Sequence, residues 1–414
     1  MRVLLNMLVT SGRKTGIGHY VSETFRALGK LATDDQFEAF PKPWVRTCYG
    51  WANKLQQVVG QFRNDKSESA RPGETPAGSI SSTEGSERLL RSRPARLRKW
   101  TQSFLEGHLR GLARRNEYSL YHEPNYLPLP SDIPTITTVY DLSVLLHPEW
   151  HPVDRVTHFE KNFGRTLNQS RHLLAISETG RQEIIREFGV PPERVSRAYP
   201  GVRTGFRKLP KEVVARTLRN LALPPRYLLF VGTIEPRKNV LMLLKAYCSL
   251  PAQFRARWPL LLVGGWGWNT NKVRSYFADQ ARHKGVLHLG YVEEKHLSAV
   301  YNGARALVFP SHYEGFGLPP LEMMACGGSV LASTAPTVKE VLGGVGHAIP
   351  PDDLDGWRDG LQRIAEDEDW WASLQVGAQH RAQEFTWERC ARETHNAYGR
   401  TLFGAQKDTQ NRAA

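Results

Sequence analysis

Three observations predict an α/β fold in which two doubly wound parallel-sheet domains face each other across a cleft. The chain has 414 residues, more than one hydrophobic core usually serves. Its second half alternates short apolar runs (227–231, 260–263, 286–289, 306–309 and 329–332) with helical stretches, the order that builds a parallel sheet. Each half also carries an apolar run that ends in glycines and leads into a helix. In an open α/β sheet such junctions lie at the carboxyl edge of the strands, where ligands bind.

Taken in chain order, the first strand spans 3–9 and leads through Thr15-Gly-Ile-Gly-His-Tyr20 into a helix over 21–31. Gly16 and Gly18 make a backbone cradle there, although the run is not a full G-x-G-x-x-G. From about 64 to 87, Ser, Gly, Glu and Pro dominate and apolar residues nearly vanish. That composition predicts a disordered insertion, because it cannot offset the chain entropy lost on ordering. A basic helical stretch follows at about 88–115, with Arg88, Arg91, Arg93, Arg96, Arg98 and Lys99 ahead of Trp100, Phe104, Leu105, Leu109 and Leu112. Cations beside an apolar stripe point to an interfacial helix on an anionic membrane.

Tyr118-Ser-Leu-Tyr-His-Glu-Pro-Asn125 and Pro134-Thr-Ile-Thr-Thr-Val-Tyr-Asp141 read as short strands whose polar ends open on the cleft. A further strand over 173–177 ends at Ser177, placed to cap the helix 178–188. The segment 194–202 closes the first domain, and a linker near 203–224 leads to the second. The expected division is 1–205, 206–385, a helix over 386–403 and a loose polar tail over 404–414.

Bulk composition narrows the function. Apolar residues make up 40% of the chain and include 11 Trp, enough for two cores. Cys48, Cys248, Cys326 and Cys390 form no Cys-x-x-Cys pair and suit a reducing, cytoplasmic compartment. The start of the chain is too short and interrupted for a secretory signal, and no apolar run is long enough to span a bilayer. A net charge of +14 predicts anionic partners. A basic nucleic-acid-binding protein is the rival reading, but no nucleic-acid motif supports it and the aromatics do not interleave with the cations.

The most informative stretch is Glu314-Gly-Phe-Gly-Leu-Pro-Pro-Leu-Glu322, which follows the apolar run 306–310. Pro319 and Pro320 suit a first helical turn. The amides of Gly315, Phe316, Gly317 and Leu318 are then placed to receive phosphate or sugar oxygens, with Gly315 and Gly317 letting the main chain approach a ligand. Two carboxylates about an anion-binding turn suit a sugar nucleotide. In Tyr227-Leu-Leu-Phe-Val-Gly-Thr-Ile-Glu-Pro-Arg-Lys-Asn239, Arg237 and Lys238 follow a strand and can neutralise a diphosphate. Asp353-Leu-Asp355 and Asp367-Glu-Asp369 read as surface acids rather than metal ligands.

The nonapeptide resembles the Glu-x7-Glu signature of the family-4 retaining glycosyltransferases, which have the two-domain GT-B fold. The resemblance implies that Glu314 lies by the donor sugar and Glu322 holds the nucleotide ribose. Glu-Pro-Arg-Lys-Asn looks like the family's diphosphate-binding loop, which puts Lys238 on the diphosphate and Arg237 on it or bracing the loop. Several relatives carry Arg directly after the glycine, where this chain has Thr233. Gly16 and Gly18 resemble the family's amino-terminal glycine loop and would face the donor phosphate or sugar. Relatives often have His before the aspartate at Tyr140-Asp141. Asp141 remains the candidate for the acceptor hydroxyl or donor sugar, with His122, Asn125 and Tyr140 as weaker acceptor-side residues.

Several motifs together resemble the bacterial mannosyltransferases of O-antigen and exopolysaccharide assembly. That likeness implies GDP-mannose as donor, a lipid-linked or growing oligosaccharide as acceptor, no metal and no cofactor. GDP-rhamnose and a UDP-hexose are the alternative donors. It also implies a front-face, oxocarbenium-like transfer in a protein peripheral to the inner face of the cytoplasmic membrane, and a last helix that returns to the first domain.

Overall fold

A computed structural model describes residues 1–11, 16–42, 45, 95–115 and 117–404, the side chains of 95–101 excepted. The insertion expected over 64–87, Arg88, Arg91, Arg93 and Cys48 lie outside the described residues, as does the tail beyond 404.

Two parallel six-stranded sheets form the framework. The first contains β1 (Arg2–Asn6), β2 (Gln36–Phe40), β3 (Leu120–Glu123), β4 (Thr135–Val139), β5 (Ser170–Ala175) and β6 (Val195–Arg197), in the order β2-β1-β3-β4-β5-β6. The second contains β7 (Leu228–Val231), β8 (Leu260–Val263), β9 (Val286–Gly290), β10 (Ala306–Phe309), β11 (Ser329–Ser333) and β12 (His347–Ile349), in the order β12-β11-β10-β7-β8-β9. The chain runs outward from β7 through β8 to β9, then returns to pair β10 with β7 on its other side. That reversal makes the carboxyl ends of β7 and β10 a topological switch point, where an open α/β sheet leaves a crevice. Both motifs singled out in the sequence follow these two strands.

Central strands are buried on both faces: every residue of β7, β8 and β10 is buried, the continuous apolar pattern of a covered parallel sheet. One apolar cluster joins the two sheets, bringing Val139 and Leu142 of the first together with Phe309 and Phe316 of the second.

Several expected elements differ in extent. The first strand stops at Asn6 rather than Val9, because the Asn6 side chain accepts a hydrogen bond from Leu8 N at 3.1 Å and turns the chain into a short 3-10 segment, Leu8–Thr10. The first helix begins at Gly16, so both glycines sit within its opening turns. The basic stretch is helical over Ala95–Arg114. Its stripe Leu105, Leu109 and Leu112 does not face a membrane: it packs on Leu4, Phe40, Tyr121 and Ile133 and completes the core of the first sheet.

The final helix, Trp387–Phe403, crosses back to the first sheet. The Tyr20 and Trp387 ring centroids lie 5.9 Å apart, and Thr24 Oγ1 meets Cys390 Sγ at 3.7 Å. The outgoing and returning strands of the chain are hydrogen-bonded, Val202 N to Phe385 O at 3.0 Å and Trp387 Nε1 to Val202 O at 2.9 Å.

Candidate active site

Gly232 follows β7, and a 3-10 turn, Pro236–Lys238, brings two cations over the end of β10. Lys238 Nζ donates to Glu314 Oε1 at 2.5 Å, and Arg237 Nη1 donates to Glu314 Oε2 at 2.7 Å. Arg237 also pairs through Nε with Glu235 at 2.6 Å and donates to the Tyr313 carbonyl at 3.1 Å. Burial pushes the Glu314 carboxyl upward, but Lys238 and Arg237 override it and hold it at about 2. Burial works against the charge of Arg237, yet Glu235, Glu314 and Asp141 keep the guanidinium firmly protonated. The result is a largely buried quartet of two acids and two bases at the switch point, in which burial and the neighbouring Arg237 push the Lys238 ammonium downward while Glu314 opposes them. Charges so placed need no reorganisation when charge develops beside them.

The turn after Glu314 also brings the two domains together. A Cβ at Gly315 would collide with the carbonyl oxygen of Tyr140 and lie 3.1 Å from Asp141 Cβ. The glycine therefore lets the two domains meet, where the sequence suggested only approach to a ligand. Gly317, at φ +108°, precedes the helix Leu318–Ala325. The Phe316 side chain is buried between Tyr199 and Phe385 (ring centroids 5.8 and 5.6 Å away), so only its backbone amide suits the donor. Pro319 and Pro320 carry no N–H, which leaves the amides of Gly315 through Leu318 as those the turn can offer. Glu322 is 2% exposed and accepts from Arg203 Nε at 2.6 Å. Thr233 lies on the β7 side of the same edge, half-buried.

Across the cleft, Asp141 Oδ1 accepts from Ser143 N at 2.9 Å and Ser143 Oγ at 2.7 Å, which fixes the carboxylate beside Gly315. Asp141 is thus brought to the quartet, and its charge acts on Arg237. Two weaker candidates are not. His122 is fully buried, with Nδ1 2.8 Å from Tyr398 Oη and Nε2 2.8 Å from Thr138 Oγ1. Burial lowers it to about 3, a neutral core histidine that ties the last helix to β3 and β4. The Tyr140 hydroxyl donates to the Pro124 carbonyl at 2.7 Å, pointing into the first domain rather than at an acceptor. Asn125 is half-buried just beyond β3. Gly16 is exposed at the start of its helix with room around it, and Gly18 is buried two residues further on.

Contacts between the domains surround this site. Tyr313 Oη donates to Glu183 Oε2 at 2.5 Å and accepts from Leu142 N at 3.2 Å. Trp268 Nε1 donates to the Trp150 carbonyl at 2.7 Å. Glu340, from the second domain, accepts from Glu178 N (2.6 Å), Thr179 N (2.8 Å) and Thr179 Oγ1 (2.6 Å), capping the helix Glu178–Phe188 of the first. Ser177 caps the same helix, accepting from Gly180 N at 3.0 Å, as its position in the sequence predicts. The Asp-x-Asp triplets start helices: Asp353 accepts from Gly356 N and Asp367 from Trp370 N. Arg203, Glu235 and Glu340 escaped the sequence reading. Glu235 had a signal, since it stands two residues before Arg237 in the same motif, whereas Arg203 and Glu340 act only through contacts distant in sequence.

Comparison with known proteins agrees with this geometry. Residues 217–383 match the family model described as glycosyl transferases group 1, and residues 67–206 match that of glycosyltransferase family 4. The chain is 36% identical over 281 residues to the O-antigen chain mannosyltransferase B of Escherichia coli, covering 67% of this chain and 74% of that one. It belongs to the family-4 glycosyltransferases. This glycosyltransferase is also 29% identical over 288 residues to the serotype-specific mannosyltransferase WbdA of Escherichia coli, spanning 67% of itself and 35% of that longer protein. The sucrose-phosphate synthase of Thermosynechococcus elongatus shares its GT-B fold, with a TM-score of 0.68 at 19% identity over 98% of this glycosyltransferase and the whole of that chain. No helix among the described residues is long and apolar enough to cross a membrane.

Proposed function

We propose that this glycosyltransferase moves mannose from GDP-mannose, with retention of anomeric configuration, onto a lipid-linked or growing oligosaccharide during assembly of a bacterial surface polysaccharide. The observation that carries the reading is the buried quartet of Glu235, Arg237, Lys238 and Glu314 facing Asp141, in a chain similar along most of its length to an O-antigen mannosyltransferase.

In this reading the donor diphosphate lies against Lys238, Arg237 and the amides of Gly315 to Leu318, which offset the charge that builds as the glycosidic bond breaks. Glu314, held ionised by the two cations, orients the sugar. Glu322 takes the ribose hydroxyls. Asp141 positions the acceptor hydroxyl, whose proton passes to a leaving phosphate oxygen as the new bond forms on the same face. The reaction needs no metal, because fixed side-chain cations take the place a metal would fill. Water is excluded by closure of the domains, which Gly315 permits. Attachment to anionic lipid at the inner face of the cytoplasmic membrane rests on exposed Arg110 and Arg114 of the helix Ala95–Arg114. Its apolar stripe is occupied in the core.

Calorimetric titration with GDP, UDP and ADP in the presence of a chelator tests the donor. Selective binding of GDP is expected. Selective binding of UDP replaces GDP-mannose by a UDP-hexose, and selective GDP binding with turnover of GDP-rhamnose alone replaces the sugar.

A further inference from the structure

Arg203 lies beside the bonded pair of chain crossings, where a Cβ on Gly201 would clash with Trp387 N and hold the backbone to that course. Its Nε and Nη2 both lie 2.6 Å from Glu322 Oε1. The guanidinium packs over the Phe206 ring at 4.5 Å, and Nη1 is 3.8 Å from Glu294 Oε1. Glu294 Oε2 in turn lies 3.7 Å from His19 Nε2, on the helix that opens with Gly16 and Gly18. A chain of polar side chains therefore runs from the glycine turn of one domain to Glu322 in the other.

We infer that Arg203 is a positioning residue of the donor site, holding Glu322 charged and aimed to accept the nucleotide's ribose hydroxyls. The inference rests on the reading that Glu322 takes the ribose. A carboxylate 2% exposed, without its cation, takes up a proton. Burial pushes Glu322 above the ordinary carboxylate range, and Arg203 limits that rise without cancelling it. The groups facing Glu322 are Arg203, Tyr301, Glu294 and Cys326, so Arg203 is the cation among them. Arg203 meets the carboxylate through Oε1 with both Nε and Nη2, and the Tyr301 hydroxyl also faces the carboxylate.

The test is GDP affinity, or that of UDP or ADP if the wild type selects it, from about pH 6 to pH 9. Arg203→Met is expected to weaken binding at least ~10-fold near neutrality and to regain much of it as rising pH ionises Glu322, with KM for donor changing more than kcat. Arg203→Lys restores binding to within ~3-fold. Wild-type affinity in Arg203→Met, or a loss equal at every pH, overturns the inference. Should that variant not fold, Arg203→Met/Glu322→Gln leaves no unpaired buried charge and is expected to bind as Glu322→Gln does alone. A further loss in the double variant overturns the inference. Unchanged binding in Glu322→Gln instead removes the ribose reading itself, whatever Arg203 does.

Discussion

The Lys238 ammonium donates to Glu314 Oε1 at 2.5 Å, joining residues 76 apart in sequence at the ends of two adjacent strands. Arg237 closes the other carboxylate oxygen. The cations expected on the diphosphate thus also hold the carboxylate expected on the sugar, so donor orientation and leaving-group stabilisation share one set of atoms.

Replacing Lys238 by Ala should lower kcat by about 10²-fold, the usual loss when one transition-state charge contact is removed. Arg237 alone then faces Glu314. Steady-state kinetics with saturating donor measure the effect, and a rate within about threefold of wild type would remove Lys238 from the site.

Gly315→Ala should separate binding from turnover. The added Cβ collides with Tyr140 O, so the domains cannot close on the quartet, while the backbone amide offered to the donor is retained. We expect nucleotide affinity within about threefold of wild type and kcat reduced at least ~10-fold. Equal activity in the two proteins would show that closure does not depend on this contact.

Glu340→Ala removes a cap supplied by one domain to a helix of the other. The cost should be about 1–2 kcal/mol of stability, as for loss of a charged N-terminal partner, read by urea unfolding. Glu340→Gln should lose less, because its carbonyl oxygen can still accept.

Two buried acids give opposite pH responses. Glu314 is held at about 2, below the ordinary 4.5, so its stabilisation is complete above about pH 4.5 and disappears as pH falls toward 2. Glu123 is fully buried beside Tyr121 Oη (2.6 Å) and Asn6 Nδ2 (2.7 Å), and burial raises it to about 7. Between about pH 4.5 and 7 the folded chain holds a proton at Glu123 that the unfolded chain has released, so this group lowers stability as pH rises. Thermal unfolding of Glu123→Gln should show a flatter pH dependence between pH 5 and pH 8 than wild type, by on the order of 2–3 kcal/mol. Parallel curves would place the titration elsewhere.

Much of the second sheet was legible because β7, β8, β10 and β11 are buried on both faces and read as apolar runs: the expected limits of β8 and β10 are those observed, and β7 and β11 differ by one residue at an end, as does β9, of which Val286 alone is buried. β2 was not legible, since Gln36 is exposed and three of its five residues are only half-buried, and three-residue β12 offers too short a pattern. That Glu314, Arg237, Lys238 and Asp141 come together was legible because all four stand at the ends of strands on the same edges. His122 and Tyr140 misled because the same position can point a side chain inward, and here Tyr398 and the Pro124 carbonyl receive them. The Leu105, Leu109 and Leu112 stripe misled because a helix that covers a sheet and one that lies on lipid show the same periodicity.

The measurement that bears most directly on the central claim is the anomeric configuration of the product formed from GDP-mannose and a lipid-linked acceptor with a chelator present, read by NMR. Retention at a charge-stabilised front face predicts an α-mannoside, since the donor is itself α-linked. A β-mannoside, or no transfer from a folded protein that transfers another sugar, would contradict the account.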